Sequence, residues 1–295
     1  MTDHMSRHPS PPLPVRRAST FPDLIGRIAC WRNLGRKSLS VAQAALATLP
    51  KNRDWLLVPM YHFILDDERK GFDAQLRYMR RNGEFISIDD AVSALAQPAG
   101  LGGRYFCVTF DDGVKNSVTN ALPILSAHRC PAAFFLATDY IGLVLDRDWD
   151  RIHPFPQPYT GFRAAFDFMT WDDCRVLAEA GMTIGAHTCR HVRLSSLSEA
   201  EAARELSDSK AEIESRLGTA CHHFAAPWGV APRDFDPALH PALARRAGFR
   251  SFLTTREGVN GPRQDPYAIR RVALRGFNWT SQVHCLFAAA THAPA

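Results

Sequence analysis

The chain has 295 residues, 46% of them apolar and 22% charged, an ordinary globular balance with enough length for one large α/β domain or two small ones. No apolar run reaches the roughly 18 residues a membrane-crossing helix needs, and no charged N-terminal region leads into an unbroken apolar stretch, which argues against a secretory signal and for the cytoplasm. The net charge of +5 is uneven: residues 1–53 hold nine Lys or Arg and two acids, a charge of +7, so the other 242 residues carry −2, too little for the basic face of a nucleic-acid binder.

In chain order, residues 1–20 are rich in Pro, Ser and Arg and read as disordered. Leu24, Ile25 and Ile28 then recur at helical spacing beside Arg27, Arg32 and Arg36. They predict a helix packed on the main domain, with a basic amphipathic helix on a membrane surface over 21–49 as the alternative. The main domain opens at the apolar run Trp55–Tyr61. Phe72, Leu76 and Met79 predict a helix ending near Gly83, Phe85–Ile88 a strand, and Asp89 the start of a helix through Leu95. Tyr105–Phe110 reads as one buried strand, followed by a helix through Leu125 and a strand at Ala132–Ala137.

Residues 141–168 read as a long loop. Thr170 is placed to cap a helix that Gly181 closes, and Met182–Ala186 is the next strand. A long helix over Ser198–Leu217, a strand at His223–Ala226, a helix at Pro241–Ala247 and a strand at Ser251–Thr254 complete the alternation. Short apolar strands alternating with helices indicate a parallel sheet, either an α/β barrel or a doubly wound sheet. The seven cysteines are odd in number and never spaced C-x-x-C, so they read as buried reduced thiols rather than disulfides or a zinc site.

Chemistry in such folds gathers where strands end. Thr109-Phe-Asp-Asp-Gly113 sets two adjacent carboxylates at a strand end, where each loses water and repels the other. A cation relieves both costs, and capping of a following helix is the plainer alternative. His187-Thr-Cys-Arg-His191 leaves another strand, and a helical turn would aim both imidazoles one way. Two imidazoles and a carboxylate leave open coordination positions, as catalysis requires. Phe224-Ala-Ala-Pro-Trp-Gly229 ends a third strand in a turn whose N–H groups can face a site.

In this order the motifs resemble those of the polysaccharide deacetylases, the NodB-like carbohydrate esterases of family four, over roughly residues 55–275. Pro59-Met-Tyr-His62, Thr170-Trp171 and Asp265–Arg271 add to the likeness. The resemblance implies a distorted (β/α) barrel of about seven parallel strands over 51–280, between a basic extension at 1–50 and a C-terminal tail at 281–295. It implies zinc or another divalent ion held by Asp112, His187 and His191, with Asp111 as general base. The Trp228 N–H would stabilise the oxyanion, and Pro227 and Trp228 would contact substrate. The implied substrate is an N-acetylated amino-sugar glycan or a lipid-linked oligosaccharide precursor. The position where many members carry a base-orienting Arg is Ala225 here, with Arg270 or Arg271 as replacements from another strand. The Leu-x-His motif that supplies the acid elsewhere has no clear match, and His284 reads as a surface or packing residue. These two departures motivate the alternative of a glycan-binding pseudoenzyme. His62 reads as either facing the pocket or supporting the first motif, and His222 and His223 as structural.

Overall fold

A computed structural model of the chain describes residues 16–17, 19–20, 48–50, 54–97, 101–152 and 164–292. The helix read from Phe21 onward, with residues 21–47 of its membrane-surface alternative, lies outside the described residues.

The strands of the domain are β1 (Trp55–Leu57), β2 (Pro59–Tyr61), β3 (Glu84–Phe85), β4 (Arg104–Phe106), β5 (Val108–Phe110), β6 (Ala132–Leu136), β7 (Thr183–Ala186), β8 (His223–Ala225), β9 (Ser251–Leu253) and β10 (Val272–Ala273). The run Trp55–Tyr61 is not one strand, because the chain breaks at Val58: β1 pairs with β4 while β2 pairs with β5 and β10. Tyr105–Phe110 breaks in the same way at Cys107. The result is a seven-stranded sheet, β9-β8-β7-β6-β5-β2-β10, beside a three-stranded one, β1-β4-β3, and Arg16–Arg17, within the segment read as disordered, pairs separately with Ala164–Ala165; every ladder among the described residues is parallel. Bridges from Leu253 to Ile269 and from Leu56 to Asn260 draw the edges round into a distorted (β/α) barrel.

The longer helices are α1 (Arg69–Asn82), α2 (Ile88–Leu95), α3 (Leu122–Ala127), α4 (Trp171–Glu179), α5 (Glu199–Leu217), α6 (His240–Arg246) and α7 (Thr280–His292), and the segment read as a long loop over 141–168 holds a single helical turn at Trp149–Ile152 and a two-residue strand at Ala164–Ala165. The strand read over Phe85–Ile88 ends at Phe85, because Ser87 accepts from the Asp90 N–H and starts α2 instead. Capping boxes at Thr170/Asp173 and Ser198/Glu201 start α4 and α5. The segment set apart as a tail is the body of α7, whose Val283 and Phe287 are buried, Phe287 stacking on Tyr78 of α1. Among the described residues no helix is long and apolar enough to cross a membrane.

Alternation along the strands sorts their side chains into two cores. Leu57, Phe134, Leu136 and Phe224 face the helices with Phe72, Leu177, Leu206 and Phe287. Leu56, Val58, Cys107, Ala133, Phe135, Ala225 and Leu253 fill the inner side, with Ile88, Ala91 and Leu95 of α2. The inner layer leaves no space for a β-carbon at Gly185, which would sit 2.5 Å from the Phe135 ring.

Candidate metal centre and active site

Four strand ends meet at one mouth of the barrel. β2 delivers His62, β5 Asp111 and Asp112, β7 His187, and β8 the turn Ala226–Gly229. Parallel strands carry these groups to one end without any long excursion.

Asp112, His187 and His191 are buried, and each offers a ligand atom within 4.8 Å of the others. His187 Nδ1 lies 2.7 Å from the Ala225 carbonyl oxygen. A carbonyl only accepts, so Nδ1 carries the proton and Nε2 presents a lone pair. That lone pair faces Asp112 Oδ1 at 3.5 Å, and His191 Nε2 lies 3.2 Å from the same oxygen. Asp112 Oδ1 is buried and meets no aligned donor. Acceptors converging in a dry pocket repel unless a cation lies between them. One carboxylate and two imidazoles suit zinc or a similar divalent ion, with positions left for water and substrate.

The two histidines do not converge through a helical turn. Thr188 (φ 63°) and His191 (φ 52°) are left-handed, and the loop between them is pinned from outside. The Cys189 and Arg190 N–H groups donate to Glu205 Oε2 at 2.8 and 3.2 Å. Glu205 is a buried carboxylate on α5 that also pairs with the Arg190 guanidinium. Sequence reasoning missed it, although an acid at an inward position between Ala202 and Leu206 was a readable signal.

Asp111 faces a different partner. Its Oδ1 accepts from Arg271 Nη1 at 2.7 Å, both side chains being buried. Arg271 precedes β10, crosses the barrel interior, donates Nε to the Thr254 carbonyl at 2.8 Å and passes over the Phe135 ring. Of the two replacements named for the arginine missing at Ala225, Arg271 makes the contact. Arg270 lies against Gly258 instead. Burial works to push the Asp111 carboxyl up, but the Arg271 charge, then His187, hold it below the usual carboxylate range. For Asp112, burial is likewise overcome by its imidazole neighbours, His191 foremost, and its carboxyl sits well below that range.

Trp228 forms the third wall. Gly229 N–H donates to Pro227 O at 2.7 Å across Trp228, whose φ is 61°, a γ-turn of the strained kind. The Trp228 N–H meets no acceptor among the described residues. Of the six non-glycine residues with positive φ among the described residues, four (Asp112, Thr188, His191 and Trp228) belong to this site, where strain is usually kept for function.

His62 is half-buried and within electrostatic range of both carboxylates. Burial depresses its pKa, with Asp112 and Asp111 acting in the opposite sense. The other histidines lie elsewhere. His223 sits at the far end of β8, bonded to Ser251 Oγ at 2.8 Å and Asp89 at 3.1 Å. His284 packs on Tyr78, 2.6 Å from its hydroxyl.

The fold and the mouth together define a parallel α/β barrel with a dry Asp-His-His pocket and a separate ion-paired carboxylate. The chain belongs to the polysaccharide deacetylase family, whose model matches residues 100–251. It is 24% identical over 225 residues, 74% of this chain and 71% of the other, to YxkH of Bacillus subtilis (strain 168), which bears the name of a polysaccharide deacetylase. Among solved structures it is similar to IcaB from Ammonifex degensii, at 25% identity and a TM-score of 0.63 over 79% of this chain and 97% of that one. In fold it is similar to the Streptococcus pyogenes deacetylase PplD, solved with acetate, at 20% identity and a TM-score of 0.58 over 77% and 95% of the two chains. The deacetylase domain of BpsB from Bordetella bronchiseptica shares the fold at 19% identity and a TM-score of 0.60, over 77% and 98%.

Proposed function

We propose that the chain removes N-acetyl groups from an amino-sugar glycan or its lipid-linked precursor with the help of a divalent ion. The observation that carries this reading is the buried meeting of Asp112, His187 and His191 beside an Asp111 already paired to a cation. A zinc or similar ion held there would polarise the acetamide carbonyl and lower the pKa of water from near 16 towards about 7.

The chain's own groups divide the remaining work. Asp111, kept ionised by Arg271, accepts the proton of the attacking water, a role worth about 10²–10⁴ in rate. The Trp228 N–H is the donor for the developing oxyanion, worth roughly 10²–10³. Pro227 and the Trp228 ring form the wall beside the acetamide. His62, the remaining imidazole near both carboxylates, is the group we assign to relay that proton from Asp111 to the leaving amine, which leaves Asp111 ionised and His62 neutral again. The reading of a catalytically empty glycan binder rested partly on Ala225, and the Arg271–Asp111 pair removes that motive.

The test combines metal analysis with acetate release from an N-acetylglucosamine oligomer. One ion per chain and metal-dependent acetate release are expected, with Asp111→Asn and His62→Ala each far slower. Acetate release undiminished in Asp111→Asn sinks the mechanism. Deleting residues 1–50 tests the lipid-linked substrate: unchanged membrane partitioning and unchanged activity on a lipid-linked acceptor remove it.

A further inference from the structure

We infer that Arg193 is a positioning residue that locks the oxyanion-donor turn to the metal-ligand loop; this rests on the role proposed above for the Trp228 N–H. The γ-turn at Trp228 places a bulky residue at φ 61°, a conformation that persists only where its surroundings over-determine it. Part of that determination is main-chain. Thr255 Oγ1 donates to the Trp228 carbonyl at 2.6 Å, and the Thr255 N–H donates to the Gly229 carbonyl at 2.9 Å. These bonds hold the carbonyl side of the turn and leave the Trp228 N–H and indole to be fixed by something else.

The indole is held between two groups of the histidine loop. Its ring lies edge-on to His191, 5.6 Å between centroids, and the Arg193 guanidinium lies over it at 4.7 Å. Arg193 is two residues beyond His191, so the clamp comes from the same loop that would hold the ion. The guanidinium is itself anchored, since Arg193 Nε donates to Asp234 Oδ1 at 2.8 Å. Asp234 is fully buried and closes the turn from the far side by accepting the Val230 N–H at 3.0 Å. Asp234 also takes Arg233, so losing Arg193 does not leave its carboxylate without a cation.

The circuit therefore runs from the ligand loop through Arg193 to both sides of residues 228–234. Its geometry is that of a planar cation stacked on one aromatic face while its Nε edge is bonded elsewhere. Lysine lacks the flat face and the fork, so it cannot reproduce both contacts. Arg193 touches neither the ligand cluster nor Asp111, and its effect on the reaction passes through the indole.

The experiment is a double-mutant cycle between Arg193→Ala and Trp228→Ala, with Arg193→Lys and Trp228→Phe as companions, read in two ways. By acetate release from an N-acetylglucosamine oligomer, Arg193→Ala lowers kcat roughly tenfold with KM little changed, and Arg193→Lys recovers only a small part. In the Trp228→Ala background the Arg193 substitution has no further effect, whereas Trp228→Phe keeps part of the coupling. By hydrogen–deuterium exchange, which needs no turnover, residues 228–230 exchange faster in Arg193→Ala than in the wild type. An unchanged kcat overturns the inference. So does a rise confined to KM, which makes Arg193 a substrate contact, or a full tenfold loss persisting without the indole. Unaltered exchange at 228–230 overturns it as well. If the wild-type chain releases no acetate, the deacetylase reading fails by itself, and the exchange result still decides whether Arg193 holds the turn.

Discussion

Replacing Arg271 by methionine tests the site at its least exposed point. The Arg271 side chain has no solvent exposure and Asp111 only 2%, at a separation of 2.7 Å. Removing one partner of a buried pair leaves a charge that water does not reach and that His187 only partly offsets, at a cost of about 3–5 kcal/mol. The chain can escape part of that cost by protonating Asp111. Arg271 is the foremost group holding the Asp111 carboxyl down against burial, so its loss moves that pKa up. A protonated Asp111 cannot accept a proton from water, and acetate release at neutral pH should fall at least about 10²-fold. The acid limb of the kcat/KM profile should move to higher pH, so raising the pH recovers part of the activity. Arg271→Lys keeps the charge but loses the Nε bond to Thr254, and should fall between the two. The Asp111→Asn/Arg271→Met double variant removes both charges and should be more stable than Arg271→Met alone. Acetate release within a few-fold of wild type in Arg271→Met, with an unmoved acid limb, refutes the reasoning.

Other outcomes follow from single contacts. Burial pushes the Glu68 carboxyl up from 4.5 to about 7, against an opposing hydrogen bond from the Leu65 N–H. Its contribution is fully present below pH 4.5 and lost as pH rises through about 7, a change of about 3 kcal/mol. Denaturant unfolding of Glu68→Gln should therefore lack that decline, and an identical slope in both proteins contradicts it. Adding zinc should raise the Tm of the wild-type chain, by up to about 4 kcal/mol of stability at a thousandfold excess over Kd, and not that of His187→Ala. Gly229→Ala puts a Cβ 2.7 Å from the Thr255 nitrogen at φ 67°, and should cost about 1–3 kcal/mol in thermal unfolding and lower kcat.

Much of the site was readable because its parts are local. Asp111-Asp112 and His187 directly follow short apolar runs, and a parallel sheet brings such strand ends together without further instruction. Arg271 was only one of two candidates, since its partner lies 160 residues away and neighbouring Arg270 looks identical in sequence. The breaks at Val58 and Cys107 were invisible for another reason. A residue that is buried on both sides of a kink is as apolar as one in a straight strand, so Trp55–Tyr61 and Tyr105–Phe110 read as unbroken. The left-handed turn between the histidines was hidden too, because Thr188 and His191 adopt φ values that side-chain type does not announce. Glu205 supplies that turn from α5, a contact no spacing rule encodes.

The course of the Arg271 side chain also orders events in time. On the ribosome, Asp111 is made 160 residues ahead of the guanidinium that keeps it ionised. The last strand, β10, must dock on β2 before that cation is in place. A nascent chain, or a fragment cut between residues 191 and 271, thus carries both carboxylates and both imidazoles without the cation that pairs with Asp111. The buried Arg271–Asp111 pair is therefore complete only once β10 has docked, which makes it a late event in the assembly of the barrel.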